Sequence, residues 1–157
     1  YEFRKDEPTM KKTPLFLLLA ASAALFASCG SSAAYKDGTY KAQYKDPDEN
    51  GWTEYVTVTV SGGKFTAVDF DALNENGERK SEDEEYKAAY TGAGYQTSPA
   101  DYSKKLEDSL LSKQDPSAVD AVAGATNSST SFKDLLKKLE PQMKKGNTST
   151  LVVEKSK

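Results

Sequence analysis

Apolar and polar residues alternate along the first half of the chain in a pattern that predicts strands. Tyr40, Ala42 and Tyr44 alternate with Thr39, Lys41 and Gln43, the period of a half-buried strand. Trp52, Val56, Val58 and Val60 alternate with Thr53, Thr57 and Thr59 in a second strand. Ser61-Gly62-Gly63-Lys64 supplies the positive-φ residues of a tight hairpin before a third strand, on which Val68, Phe70 and Ala72 share a face. The alternation stops after Leu73, and residues 74–85 hold six acids, two bases and almost nothing apolar, as expected of a solvated loop leading into a helix. A helix is predicted over 82–90, stopped by Thr91-Gly92-Ala93-Gly94. Pro99 opens a second helix with Tyr102, Leu106 and Leu110 at helical spacing. A last helix carries Phe132, Leu135, Leu136, Leu139 and Met143 on one stripe, the mark of a core-facing surface. Residues 150–153 are a candidate terminal strand, and no internal repeat is seen. The expected fold is α+β, a small antiparallel sheet with helices packed on one face.

The N-terminal pattern is of another kind. Lys11 and Lys12 precede an apolar run from Leu15 to Ala27, interrupted only by Ser22. The run falls short of the roughly 20 residues a membrane span needs and has the length of a signal-peptide core. Met10 stands where the initiator of such a signal belongs, so residues 1–9 read as an upstream extension and 10–28 as the signal peptide. Leu25-Phe26-Ala27-Ser28-Cys29-Gly30 resembles a bacterial lipobox, which implies lipid attachment to Cys29, cleavage before it and a short tether over 29–35. The other reading is an ordinary secretory signal with a chance cysteine at its end. The lipobox implies a membrane-anchored protein on the extracytoplasmic side, periplasmic or cell-surface.

Composition narrows the chemistry. Lys and Arg number 21 against 24 Asp and Glu, a net charge of −3 in 157 residues, which gives no support to a nucleic-acid partner. There is no histidine, which removes Ser-His-Asp and Cys-His nucleophiles and the usual zinc and haem ligand sets. Cys29 is the single cysteine and has no partner for an intramolecular disulfide.

Two segments carry candidate sites. Asp46-Pro47-Asp48-Glu49-Asn50-Gly51 matches the first half of a calcium loop, but position twelve is Thr57 and the flanking elements are strands, so it reads as a polar hairpin loop. Residues 119–129 read as a short apolar strand, a tight turn of small residues, and a row of hydroxyl and amide side chains at the start of the last helix. Small residues let a bulky group approach the backbone, and the N–H groups of a helix start favour a phosphate. The competing reading is a well-capped helix, with residues 127–131 as caps.

Asp120-x-x-x-Gly124-Ala125-Thr126 resembles the flavinylation motif of the FMN-binding domain family, as in the peripheral subunits of the sodium-pumping NADH:quinone oxidoreductase and the Rnf complex. Lys36-Asp37-Gly38-Thr39-Tyr40 and the Gly63-Lys64-Phe65 hairpin resemble the start of the same domain, most closely in its small lipoprotein branch. The resemblance implies an FMN-binding domain over 36–157, with FMN carried as a phosphoester on Thr126 by an ApbE-type flavin transferase that reads Asp120. A threonine hydroxyl is a poor nucleophile without a base, which fits activation by an external enzyme. Gly124 and Ala125 complete the motif, and Asn127, Ser128 and Ser129 are candidates to hold the phosphate and ribityl chain. Tyr95 is a candidate to stack on the flavin ring, with Tyr90, Tyr102 and Trp52 as further aromatics. The implied function is an electron carrier between a redox donor and acceptor. Noncovalent flavin carriage and a structural surface lipoprotein are the alternatives.

Overall fold

The computed structural model describes residues 34–155. Cys29, the signal segment, the N-terminal extension and most of the tether lie outside the described residues. The alternating segments fold as β1 (Gly38–Tyr44), β2 (Thr53–Ser61) and β3 (Lys64–Leu73), and the terminal segment adds β4 (Leu151–Val153). Sheet order is β3-β2-β1-β4. The first three strands form the expected antiparallel meander, with Tyr40 opposite Val58 and Val56 opposite Phe70. β4 runs parallel to β1, with Ala42 opposite Leu151, so the complete sheet is mixed. The parallel pairing follows from α3 (Thr126–Lys145), which carries the chain back along the sheet before β4 begins. Trp52 falls just before β2, where Asp48 Oδ1 accepts from the Asn50 and Trp52 amides at 2.9 Å each and closes the hairpin loop.

Helices α1 (Glu84–Gly92), α2 (Pro99–Lys113) and α3 follow the predicted pattern. Ser98 caps α2 and Pro99 occupies its first turn; this pairing satisfies an orphan amide and needs no donor from proline. Leu106 and Leu110 of α2 meet Phe132, Leu135, Leu136 and Leu139 of α3 over Tyr40, Val56 and Phe70, all buried. Phe70 and Phe132 pack edge to face at 5.0 Å between centroids, a favoured aromatic geometry. The free edge of β3 is met by side chains of α2 and of the residue that ends it: Gln114 Oε1 accepts from the Phe65 amide and Glu107 Oε1 from the Phe70 amide, each at 2.8 Å. These bonds occupy ladder groups that would otherwise template another strand. Burial raises the Glu107 carboxyl above its usual range, against the Phe70 amide, which lowers it.

The acidic stretch is not uniformly solvated. Asp71, on β3, is 3 % exposed and accepts from Arg79 Nε at 2.8 Å, from the Ser81 amide at 3.1 Å and from Ser81 Oγ at 2.5 Å. Arg79 also reaches Asp69 at 2.6 Å. This clasp folds residues 79–82 back onto the sheet and buries Lys80 beside them, 6 % exposed. α1 then leaves the body of the domain with none of its residues fully buried.

Candidate functional site

The segment before α3 has no strand. Residues 119–122 are irregular, following a single 3-10 turn at Pro116–Ala118. Val119 is buried in the core, which anchors the segment by one side chain and leaves its backbone without a neighbouring strand. The chain then turns at Gly124, φ +81°, a left-handed conformation that glycine adopts without strain. A Cβ there would stand 3.2 Å from Thr97 Cγ2 and 3.6 Å from Tyr95 Cδ1. Gly124→Ala should cost about 1–2 kcal/mol for the left-handed backbone, read from the midpoint of chemical denaturation, and should narrow the gap between the turn and Tyr95.

The helix start also differs from expectation. The N-cap of α3 is Ala125, which has no side chain to cap with, and Thr126 is the first helical residue. Asn127, Ser128 and Ser129 sit inside the first turn, so they are not caps. Ser129 Oγ instead staples the turn, accepting from the Val122 amide at 2.9 Å and donating to the Ala125 carbonyl at 2.7 Å. The Ser129 amide is the first to close the helix, onto Ala125 at 2.9 Å. The amides of Thr126, Asn127 and Ser128 precede it and point out of the helix end, where an anion is favoured. Thr126 is exposed at this end.

Asp120 is exposed and is not a cap either. It forms an ion pair with Lys113 at the end of α2, 2.6 Å. Lys113 holds its carboxyl below the usual range, first through the hydrogen bond and then through charge. Asp120 therefore stays ionised through neutral and mildly acidic pH, and the pair is lost only as pH falls through that lowered value.

Facing the helix start is a cavity of about 390 Å³ lined by Tyr86, Tyr90, Tyr95 and residues 124–128. Tyr86 and Tyr90 lie four apart on α1, with ring centroids 5.7 Å apart, and Tyr90 continues to Tyr95 at 5.2 Å. Tyr95 is 52 % exposed, so an aromatic face is open to solvent beside the turn. Burial raises the hydroxyl pKa of Tyr86 and of Tyr90, and both remain neutral. Thr97 Oγ1, behind Gly124, is buried without a hydrogen-bond partner. A second cavity of about 600 Å³ adjoins the first and shares Tyr86, Tyr90, Asn127 and Ser128 with it.

Of the sequence candidates, Tyr95, Tyr90, Gly124, Ala125, Thr126, Asn127 and Ser128 are brought together around the smaller cavity. Ser129 supports the turn from behind. Asp120 stands apart on the α2 side. Tyr102 and Trp52 line neither cavity: Tyr102 is 3 % and Trp52 6 % exposed, and both serve the packing. Tyr86 was missed, because its spacing to Tyr90 was absorbed into a helix with no clear apolar stripe. Lys80 was missed because it sits in a run of charge.

An uncapped helix start, a glycine turn that a side chain would fill and a wall of tyrosines define a binding protein for a phosphate-bearing aromatic cofactor. The chain belongs to the FMN-binding domain family, whose model matches residues 51–139, and its cofactor is FMN. It is 37 % identical over 131 residues to the 15 kDa lipoprotein of Treponema pallidum (strain Nichols), covering 83 % of this chain and 91 % of that protein. It is similar to the crystal structure of a Clostridium perfringens protein, with a TM-score of 0.72 and 33 % identity over 78 % of this chain and 99 % of that one. The residues present fit the cofactor: three amides for the phosphate, tyrosine faces for the ring and a turn without a side chain between them.

Proposed function

We propose that this chain is a membrane-anchored, extracytoplasmic flavoprotein that carries FMN covalently on Thr126 and relays electrons between a redox donor and acceptor. The observation that carries the reading is the placement of Thr126, exposed as the first residue of an uncapped helix at the mouth of the tyrosine-walled cavity. Its hydroxyl is the atom in the segment both accessible to a second enzyme and next to free amides that hold a phosphate. The absence of histidine supports an external ApbE-type transferase as the source of the base. In the transfer, Thr126 Oγ loses its proton to that enzyme and bonds to the flavin phosphorus, while the phosphoanhydride of a flavin dinucleotide breaks and the other nucleoside monophosphate leaves with the bridging oxygen. The chain gains FMN less one water. When bound, FMN supplies one- and two-electron chemistry, and this chain's residues attach it, orient it and shield one side of its ring.

Asp120 lies outside the cavity and is solvent-exposed beside the motif, a position suited to recognition by the transferase. Asp120→Ala should lower the flavin load at equal co-expression while leaving the denaturation midpoint within about 0.5 kcal/mol of wild type, the usual range for an exposed position. Equal loading of the variant would remove Asp120 from recognition.

The anchoring part of the reading is supported by the lipobox-like segment ending at Cys29 and by the naming of the Treponema pallidum relative as a lipoprotein. The test is the intact mass of the membrane-extracted protein after co-expression with a flavin transferase. A diacylglyceryl or triacyl adduct on Cys29 and an FMN phosphoester on the Thr126 peptide are expected. Flavin released by denaturation would instead establish the noncovalent carrier, and a protein without flavin the structural lipoprotein.

A further inference from the structure

Among the described residues, Lys80 is a buried cation with no acid at ion-pair distance. It is 6 % exposed and lines the larger cavity. Its ammonium lies 4.3 Å from the Tyr86 ring centroid and 5.8 Å from that of Trp52, and it forms no ion pair among the described residues. Desolvating an ammonium without a counter-charge is costly, and two aromatic faces offset only part of that cost. The acids of the same cavity have partners of their own. Glu54 meets Lys155 at 3.4 Å, Asp134 meets Lys138 at 3.0 Å and the Tyr44 hydroxyl at 3.0 Å, and Asp48 is held by the amides of its loop. Glu49, on the same loop, also lines the cavity but is exposed to solvent, where its charge is screened. The Arg79–Asp71 clasp fixes the backbone on both sides of Lys80, so the side chain is presented to the cavity by a rigid support.

The two cavities are joined along Tyr86, Tyr90, Asn127 and Ser128. A flavin attached at Thr126 therefore starts beside the larger space, with Asn127 and Ser128 lining both cavities. We infer that this larger cavity holds the isoalloxazine ring and that Lys80 is the cation set against its pyrimidine edge, an assignment that rests on the attachment at Thr126 proposed above. The ring's polar atoms lie on that edge, and on reduction negative charge collects there. A neighbouring ammonium favours the reduced form and raises the potential, since charge close to the flavin nitrogens is one of the means by which a protein tunes the cofactor.

The test uses the holoprotein loaded by a co-expressed transferase, with denatured samples checked for covalent flavin and the potential read by equilibration with a redox dye. Lys80→Met keeps the aliphatic stem between the rings and removes the charge. At fixed ambient potential its ratio of reduced to oxidised flavin should fall tenfold or more, about 30 mV for a two-electron couple. Its affinity for sulfite, which adds to flavins held beside a positive charge, should fall in parallel, and Lys80→Arg should restore both. Where the methionine variant does not fold, Lys80→Gln must move both readings in the same direction. A charge-removing variant that is covalently loaded yet has wild-type potential and sulfite affinity overturns the assignment of Lys80. A wild-type chain that carries no covalent flavin overturns the attachment at Thr126 and this inference with it.

Discussion

Thr126→Ala abolishes covalent flavin loading and leaves the fold intact; this is the largest functional effect expected of any single substitution in the chain. Alanine removes the oxygen that the proposed phosphoester requires. The structure gives the threonine side chain little else to do: it is exposed at the first position of α3, and the turn before it is held by Ser129 and Val122. Alanine is also the best helix former, so stability should stay within about 0.5 kcal/mol of wild type. Thr126→Ser keeps the oxygen and should retain at least partial loading. The readout is flavin fluorescence that stays with the chain in a denaturing gel, together with the mass of the Thr126 peptide. A fluorescent Thr126→Ala band would move the attachment elsewhere, with Ser128 and Thr130 the nearest hydroxyls to examine.

The largest structural effect is expected from Asp71→Ala. The carboxylate is 2 % exposed at the side chain and serves Arg79, Ser81 twice and the Ala72 amide. Its removal strands those donors and breaks an ion pair with a buried member, a loss of about 3–5 kcal/mol against a total stability on the order of 5–15 kcal/mol. Arg79 keeps Asp69 as a second partner, which places the expected value toward the lower end. Asp71→Asn retains an acceptor and should lose less. Urea denaturation reads both. Because the same clasp supports Lys80 and the approach to α1, Asp71→Ala should also loosen the tyrosine wall, seen as faster amide exchange over residues 79–92.

The elements were legible where side-chain period and burial coincide. Val56, Val58 and Val60 alternate with threonines because one face of β2 meets the helices and the other does not. Phe132, Leu135, Leu136, Leu139 and Met143 fall on one stripe of α3 because that stripe is covered by the sheet. The tight turn at Gly124 and the helix start after it were legible too, since a glycine turn before a hydroxyl-rich helix start is a local arrangement. Local pattern gave wrong detail where residues distant in sequence decide the outcome. Residues 119–122 look like a strand, but no neighbouring strand accepts them, and only Val119 and Val122 pack, one by one, against the core. Residues 127–129 look like caps, but Gly124 and Ala125 place the helix boundary ahead of them. The direction of β4 depends on where α3 returns the chain.

The period of the side chains thus determined the strands, the helices and the buried stripe, because each of these is set within a few residues by backbone geometry and by the water that apolar groups avoid. The cavity, the tyrosine wall and the buried lysine were decided by tertiary structure. Tyr86 and Tyr90 come to line one cavity with Ser128 across some forty positions of sequence, and Lys80 is held in its buried place by a turn clasped to an aspartate on β3. Burial of a charged or weakly apolar side chain is a property of what packs over it, which no local pattern records.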